Sequence, residues 1–244
     1  MVSSPEKWVQ PEPRGTLRRL LVRPVASPAP QDARAIVRRP THVFRRRYDR
    51  AKRALDLAAC ALLVPAALPV ALTCALLVRL DSPGPIFFRQ QRTGKHGRRF
   101  PLFKFRTMVA DAPARKRELM HLNHQSGPDF KIDDDPRITR VGRWLRRTSL
   151  DELPQLLNVL RGDMSLVGPR PTSFDASTYS LWHTERLEVL PGITGLWQVS
   201  GRSDVDFDER VRLDIEYVHN RSLLLDLKIL VRTVGAVFGQ RGAY

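Results

Sequence analysis

From Leu57 to Val78 the chain carries 22 consecutive residues without a charge, and that run limits the fold more than any other stretch. As a helix rising 1.5 Å per residue it measures about 33 Å, enough to cross the roughly 30 Å hydrocarbon core of a bilayer. Pro65 and Pro69 stand in its middle, where each removes a backbone donor and crowds the preceding turn. Both flanks are basic: Arg45, Arg46, Arg47, Arg50, Lys52 and Arg53 precede the run, and Arg79, Arg89, Arg92, Lys95, Arg98 and Arg99 follow it. Lys and Arg keep a flank on the cytoplasmic side, so a broken helix that enters and leaves through the same leaflet is expected. From Lys52 to either proline is about 20 to 25 Å of helix, short of the far surface. A straight single-pass helix is the simpler alternative, and a buried helix of a soluble domain is another.

The net charge of +16, with an isoelectric point near 11.0, asks for a polyanionic partner: nucleic acid, an anionic bilayer face or a phosphorylated substrate. Through Arg53 there are 14 Lys or Arg against 4 Asp or Glu, so much of that charge sits directly ahead of the apolar run, where it suits anionic head groups. No zinc-finger spacing, RNA-recognition aromatic motif or helix-turn-helix signature is present, and nucleic acid is not expected. Residues 1–50 read as a disordered, basic, Pro/Arg-rich tail with an extended linker at Pro24–Gln31, residues 51–80 as the membrane helix and residues 81–244 as a folded domain. A secretory signal is not expected, because the apolar run begins some 50 residues in and no small-residue cleavage site follows. Cys60 and Cys74, the two cysteines, both lie inside the apolar run, which leaves no disulfide framework and no thiolate metal site.

The chemistry points to Thr148–Pro171. Leu150, Leu153, Leu156, Leu157 and Leu160 recur at helical spacing and predict an apolar face on the core. Asp151 and Glu152 open that segment, Gly162 closes it, and Gly168-Pro169-Arg170-Pro171 forms a rigid turn holding an arginine. Ser149 with Glu152 three residues later also fits a capping box, which would make the acids mere caps. Pro154 opposes that reading, since it would fall inside the helix; a start at Pro154 instead leaves both acids in the approach, where an ionised aspartate suits a nucleophile or a metal ligand.

Other segments offer cations or donors. Pro101–Met108, PLFKFRTM, alternates as a strand, with Lys104 and Arg106 on one face: phosphate ligands, or a solvated strand face. Arg137, Arg140, Arg143, Arg146 and Arg147 follow at helical spacing and bring Arg146 toward Asp151. Asp111–Gly127 is polar and helical in composition; His121 and His124 within it lack a third metal ligand and read as surface residues. Asp133-Asp134-Asp135 precedes Pro136 and reads either as turn acids or as a divalent-ion site. Leu190–Arg202 holds two glycines in PGITG and ends in Gly201-Arg202, a weak phosphate-loop pattern. Asp206–Glu216 is charged and helical and carries Asp214. The C-terminal Ser222–Phe238 is amphipathic, with an apolar face for the core or the membrane interface and Lys228 and Arg232 beside it.

Ser149–Pro171, SLDELPQLLNVLRGDMSLVGPRP, resembles the bacterial sugar transferases, the monotopic phosphoglycosyl transferases that move a sugar phosphate from a nucleotide sugar onto a polyprenyl phosphate. Four ordered blocks extend the likeness from about Lys52 to the C-terminus: KRALD at Lys52–Asp56, PLFKFRTM, DPRITRVGRWLRRTSLDELPQL at Asp135–Leu156 and LPGITGLWQVSGR at Leu190–Arg202. The resemblance implies an α/β, α-rich fold: a re-entrant membrane helix kinked at Pro69, then a compact cytoplasmic catalytic domain with amphipathic interfacial helices at the inner membrane. Leu68 stands where the family often has serine, and Pro65 is an addition.

By the same resemblance Asp151 is the nucleophile and Glu152 its partner, Mg²⁺ sits on Asp151 or Glu152, and Lys104, Arg106, Arg146, Arg170 and Arg202 bind phosphate, with Asp214 behind them. A UDP-sugar is the expected donor and undecaprenyl phosphate the acceptor, with UMP released through a phosphosugar-aspartyl intermediate in the first membrane step of polysaccharide assembly. A homodimer is compatible with it. The rivals are a metal-dependent glycosyltransferase using Asp133–Asp135, which would release UDP, and a membrane-anchored nucleic-acid binder.

Overall fold

The computed structural model describes residues 46–122, 132, 134–200 and 206–238. The expected tail lies outside these as far as residue 45. Its last residues are already helical, because α1 runs Arg46–Asp81 without interruption over 36 residues, past Pro65 and Pro69. At 1.5 Å per residue it is about 54 Å long. Among the described residues it is the one helix long and apolar enough to cross a membrane.

Asp56, Cys60, Cys74 and Val78 are its buried residues, and their spacing of four, fourteen and four keeps them on one helical face. Cys60 enters a core with Phe100, Leu102, Val159, Met164, Leu166, Val167, Tyr217 and Ile229, while Cys74 and Val78 enter a second core with Phe105 and Leu145. Both halves of α1 therefore rest on the same body. The middle, Pro65–Val70, joins neither core, and Leu62, Leu68 and Leu72 are exposed. Prolines 65 and 69 leave the carbonyls of Ala61 and Pro65 without their usual helical donors, and the Thr73 hydroxyl bonds back to the Pro69 carbonyl at 3.0 Å. At the N-terminal end Lys52 pairs with buried Asp226 at 2.9 Å, and Tyr48 donates to the same carboxylate at 2.8 Å.

Strands β1 (Phe87–Thr93) and β2 (Arg99–Phe105) form an antiparallel hairpin with Phe88 opposite Lys104, closed by a 3₁₀ turn in which His96 adopts φ 56°. After the short helix α2 (Ala112–Arg115) comes a 3₁₀ turn at Met120–Leu122. The long helix suggested by composition over Asp111–Gly127 is thus reduced to these pieces as far as the described residues go, Pro113 and the weakly apolar sequence giving it no face to bury. Helix α3 (Arg140–Arg147) leads through a 3₁₀ segment, Leu150–Gln155, into α4 (Leu156–Arg161). Strands β3 (Ser165–Val167) and β4 (Gly192–Thr194) pair in parallel. Helices α5 (Leu196–Val199), α6 (Phe207–Asn220) and α7 (Leu223–Phe238) follow among the described residues.

One apolar face departs from expectation. Leu157 and Leu160 are 47 % and 40 % exposed, not core: α4 instead buries Val159 and the polar Asn158, whose side chain accepts from Phe103 N at 3.1 Å and donates to Pro101 O at 2.7 Å. On α7, Asp226 and Ile229 are buried while Leu224, Leu227, Val231 and Val234 form an exposed stripe. Core positions such as Leu145, with no exposed surface, are where truncation to alanine costs about 2–5 kcal/mol.

Candidate active site

The site is made by bringing four segments together. Lys104 is the penultimate residue of β2, Arg146 lies in the last turn of α3, Asp151 and Glu152 lie in the 3₁₀ segment, and Arg170 lies in the turn after β3. The acids are not helix caps. Ser149 takes a left-handed backbone, φ 56°, and its side chain makes no capping bond, so the Ser149–Glu152 box does not form. Regular α-helix begins only at Leu156, two residues beyond Pro154, because the left-handed entry sets up a tight 3₁₀ turn. That turn aims both carboxylates at the hairpin.

The Lys104 ammonium donates to Glu152 Oε1 at 2.7 Å and to Asp151 Oδ2 at 3.2 Å. Arg170 donates to the two Glu152 oxygens, at 2.6 Å through Nη2 and 3.4 Å through Nη1. Burial alone would raise the Glu152 pKa, but Arg170 and Lys104 outweigh it and hold the carboxyl well below the usual range. Asp151 is 7 % exposed, and its Oδ1 accepts no hydrogen bond among the described residues. Arg146 uses Nε to reach Thr107 Oγ1 at 2.9 Å, with Asp151 contributing to its electrostatic surroundings; its terminal nitrogens bond nothing among the described residues. Three cations thus face two carboxylates, with one carboxylate oxygen and one guanidinium end unused. Such an excess of positive charge is chemically suited to a phosphate.

The Arg170 turn is fixed by backbone. Gly168 N donates to Thr194 O and Gly192 N to Pro169 O, each at 2.9 Å. A Cβ on Gly192 would lie 2.1 Å from Gly168 N, so the two chains meet where only glycine fits. The PGITG glycines therefore pack against the GPRP turn, and the phosphate-loop pattern finds a structural use. Behind the turn, Arg186 Nη2 donates to Arg170 O at 2.7 Å and pairs with Asp214 Oδ2. Burial pushes the Asp214 carboxyl up to about 6 despite Arg186, Arg210 and Arg170. Asp214 thus stands one residue behind Arg170, and Arg186, buried in a polar segment with no recognisable pattern, is the link that sequence reading missed.

Arg106 is turned elsewhere: its guanidinium reaches the carbonyls of Pro83, Ser82 and Val78 at 2.6, 2.8 and 3.5 Å, at the exit of α1. The β2 strand ends at Phe105, so the alternation that would have kept Arg106 beside Lys104 stops before it. Arg202 and His124 lie outside the described residues, as does Asp133; His121 is exposed. Asp135 is held by Arg137 through bonds of 2.6 to 3.2 Å, and Arg137 precedes the helix that begins at Arg140.

The bacterial sugar transferase family profile matches residues 47–240. The chain is 48 % identical over 168 residues to the galactosyl transferase CpsE of Streptococcus agalactiae, covering 68 % of this chain and 37 % of that protein. It is 45 % identical over 208 residues to the UDP-glucose:undecaprenyl-phosphate glucose-1-phosphate transferase of Caulobacter vibrioides, covering 80 % and 73 %. To the exopolysaccharide production protein ExoY of Sinorhizobium fredii it is 43 % identical over 198 residues, covering 79 % and 88 %. The chain spans about two fifths of the length of several of its curated relatives.

Proposed function

Since the chain belongs to the bacterial sugar transferase family, we propose that it transfers a sugar 1-phosphate from a UDP-sugar to undecaprenyl phosphate and releases UMP, as an early membrane step of polysaccharide assembly. The observation that carries this reading is the unengaged Asp151 oxygen beside Lys104 and Arg146. An Asp151 oxygen attacks the sugar-proximal phosphorus, the bond to UMP breaks, and UMP leaves with the electron pair. An oxygen of the polyprenyl phosphate then attacks the same phosphorus and Asp151 departs as carboxylate. Lys104 orients the two carboxylates; Arg146 and Arg170 stabilise charge on the phosphoryl oxygens, and Glu152 holds Lys104 and Arg170 in place. In this reading Arg202 joins the phosphate ligands and Asp214 supports Arg170 through Arg186.

Asp151 offers a hard oxygen donor that fits Mg²⁺, an ion bound by one or two carboxylates together with substrate phosphates; both Glu152 oxygens already accept from cations. When bound, the ion would supply charge that offsets the repulsion between carboxylate and phosphate.

Although α1 is continuous past Pro65 and Pro69, contact of both its halves with one body supports a re-entrant helix bent at Pro69, with the catalytic domain on the cytoplasmic face of the inner membrane. The exposed α7 stripe supports an interfacial position for that helix, with Lys228 and Arg232 at the head groups. For the metal-dependent glycosyltransferase alternative, Asp135 is a poor ligand, because Arg137 occupies both of its oxygens.

The test is nucleotide release by protein purified in detergent, given undecaprenyl phosphate and a panel of UDP-sugars. Wild type releases UMP with at least one sugar, and Asp151→Asn releases none while remaining with the membrane fraction. Ordinary turnover by Asp151→Asn, or UDP as the product, overturns the reading.

A further inference from the structure

Each of the four segments that carry the site is also tied to α1 or its exit by a polar side chain far away in sequence. Arg53 of α1 donates to Val159 O and Leu160 O at 2.6 and 3.0 Å, holding the end of α4, which continues from the Asp151–Glu152 turn. Asp56 accepts from Leu166 N at 3.1 Å in the middle of β3, four residues before Arg170. Asp81, the last residue of α1, accepts from Val141 N at 3.0 Å and so caps the helix that bears Arg146. Arg106, two residues after Lys104, closes on the Ser82 and Pro83 carbonyls just beyond that same end of α1.

These four ties are long-range, and none of them is a bond to Asp151, Lys104 or Arg146. Asp56 is 3 % exposed, so the Leu166 amide has no water to replace it, and a buried donor left unpaired shifts its strand. We propose that Asp56 and Asp81 are positioning residues for the transfer reaction. Through them the membrane helix acts as the jig that sets Arg170 and Arg146 against Asp151, so that the anchor is a working part of the active site and not only a tether. The inference rests on the catalytic reading above for its kinetic arm alone. Both residues act here as hydrogen-bond acceptors for a backbone amide, a role an asparagine carbonyl fills equally well.

The experiment compares full-length, membrane-bound wild type with Asp56→Ala, Asp56→Asn, Asp81→Ala and Asp81→Asn. Steady-state UMP release is measured below the melting temperature of every variant, and hydrogen exchange is followed on the same samples. Each alanine variant is expected to lose about ten- to a hundredfold in kcat, the effect of a misplacement on the order of 1 Å, with the KM for the UDP-sugar within about threefold. Each asparagine variant is expected to restore kcat to within about threefold of wild type. Hydrogen exchange is expected to rise at residues 164–170 in Asp56→Ala and at residues 140–147 in Asp81→Ala, each without the other. Wild-type kcat in the alanine variants overturns the proposal. So does failure of the asparagine variants to rescue, which would assign the role to charge. If wild type itself releases no UMP, the catalytic reading fails separately, and hydrogen exchange still decides the ties: unchanged exchange in both segments overturns them.

Discussion

Replacing Glu152 by glutamine tests whether its carboxylate is the keystone between Lys104 and Arg170. The wild-type side chain accepts at 2.6 and 2.7 Å from two cations and is 16 % exposed, against 20 % for Lys104 and 34 % for Arg170. Hydrogen bonds to charged groups contribute about 1.5–3 kcal/mol each, and removing one member of a buried pair costs about 3–5 kcal/mol. Solvent around Arg170 screens its share, and glutamine retains one acceptor, so Glu152→Gln should cost about 2 kcal/mol. For a domain near this size that lowers Tm by about 4–8 °C. The pH dependence gives a sharper signature. A carboxyl whose folded pKa is depressed contributes stability that is complete above its unfolded value, here 4.5, and is lost as pH falls through the folded value. Differential scanning fluorimetry should therefore show a constant gap between wild type and Glu152→Gln from pH 8 to 6, narrowing below about pH 4.5. A gap below 1 °C at neutral pH, or one that widens on acidification, refutes the keystone role.

Gly142→Ala should be among the least tolerated changes, since its Cβ would stand 2.1 Å from Thr107 O; a backbone atom cannot move aside cheaply, and a loss of about 3 kcal/mol or more is expected in thermal melts. Asp214 protonates near pH 6 in the fold, above its ordinary 3.8, so its ionised form weakens the fold above that pH and the penalty is relieved as pH falls toward 4. Losing that charge frees Arg186 and the Arg170 turn, so activity should fall on the acid side of about pH 6. Asp214→Asn should lack this limb in a profile of log kcat against pH. Glutamate at both Leu224 and Val231, exposed on α7, should weaken sedimentation with anionic vesicles while leaving Tm within about 2 °C.

That Asp151 and Glu152 are not helix caps was legible because Pro154 contradicts a simple cap, and α1 because an uncharged run of that length has few uses. The direction of Arg106 was not legible: period-two alternation puts it beside Lys104, but the strand ends one residue earlier and its guanidinium finds three carbonyls at the end of α1. Leu157 and Leu160 misled for a related reason. Helical spacing identifies one face of a helix without saying which side the core takes, and here Asn158 is drawn inward by two backbone partners on β2. Arg186 carries no local signal, because its value depends on Asp214 and Arg170 arriving from opposite sides. The PGITG glycines were visible as close-approach residues, while what approaches them was a matter of chain crossing.

Cys60 and Cys74 are free thiols with 0 % and 1 % exposure, each sealed inside one of the two cores. Native protein should therefore be nearly blind to maleimides, and a single cysteine introduced at an exposed position such as Leu62 or Leu72 becomes the sole reporter without any native residue being deleted. Spin labels or fluorophores placed along α1 in this way turn the immersion depth of each turn into a directly measurable coordinate.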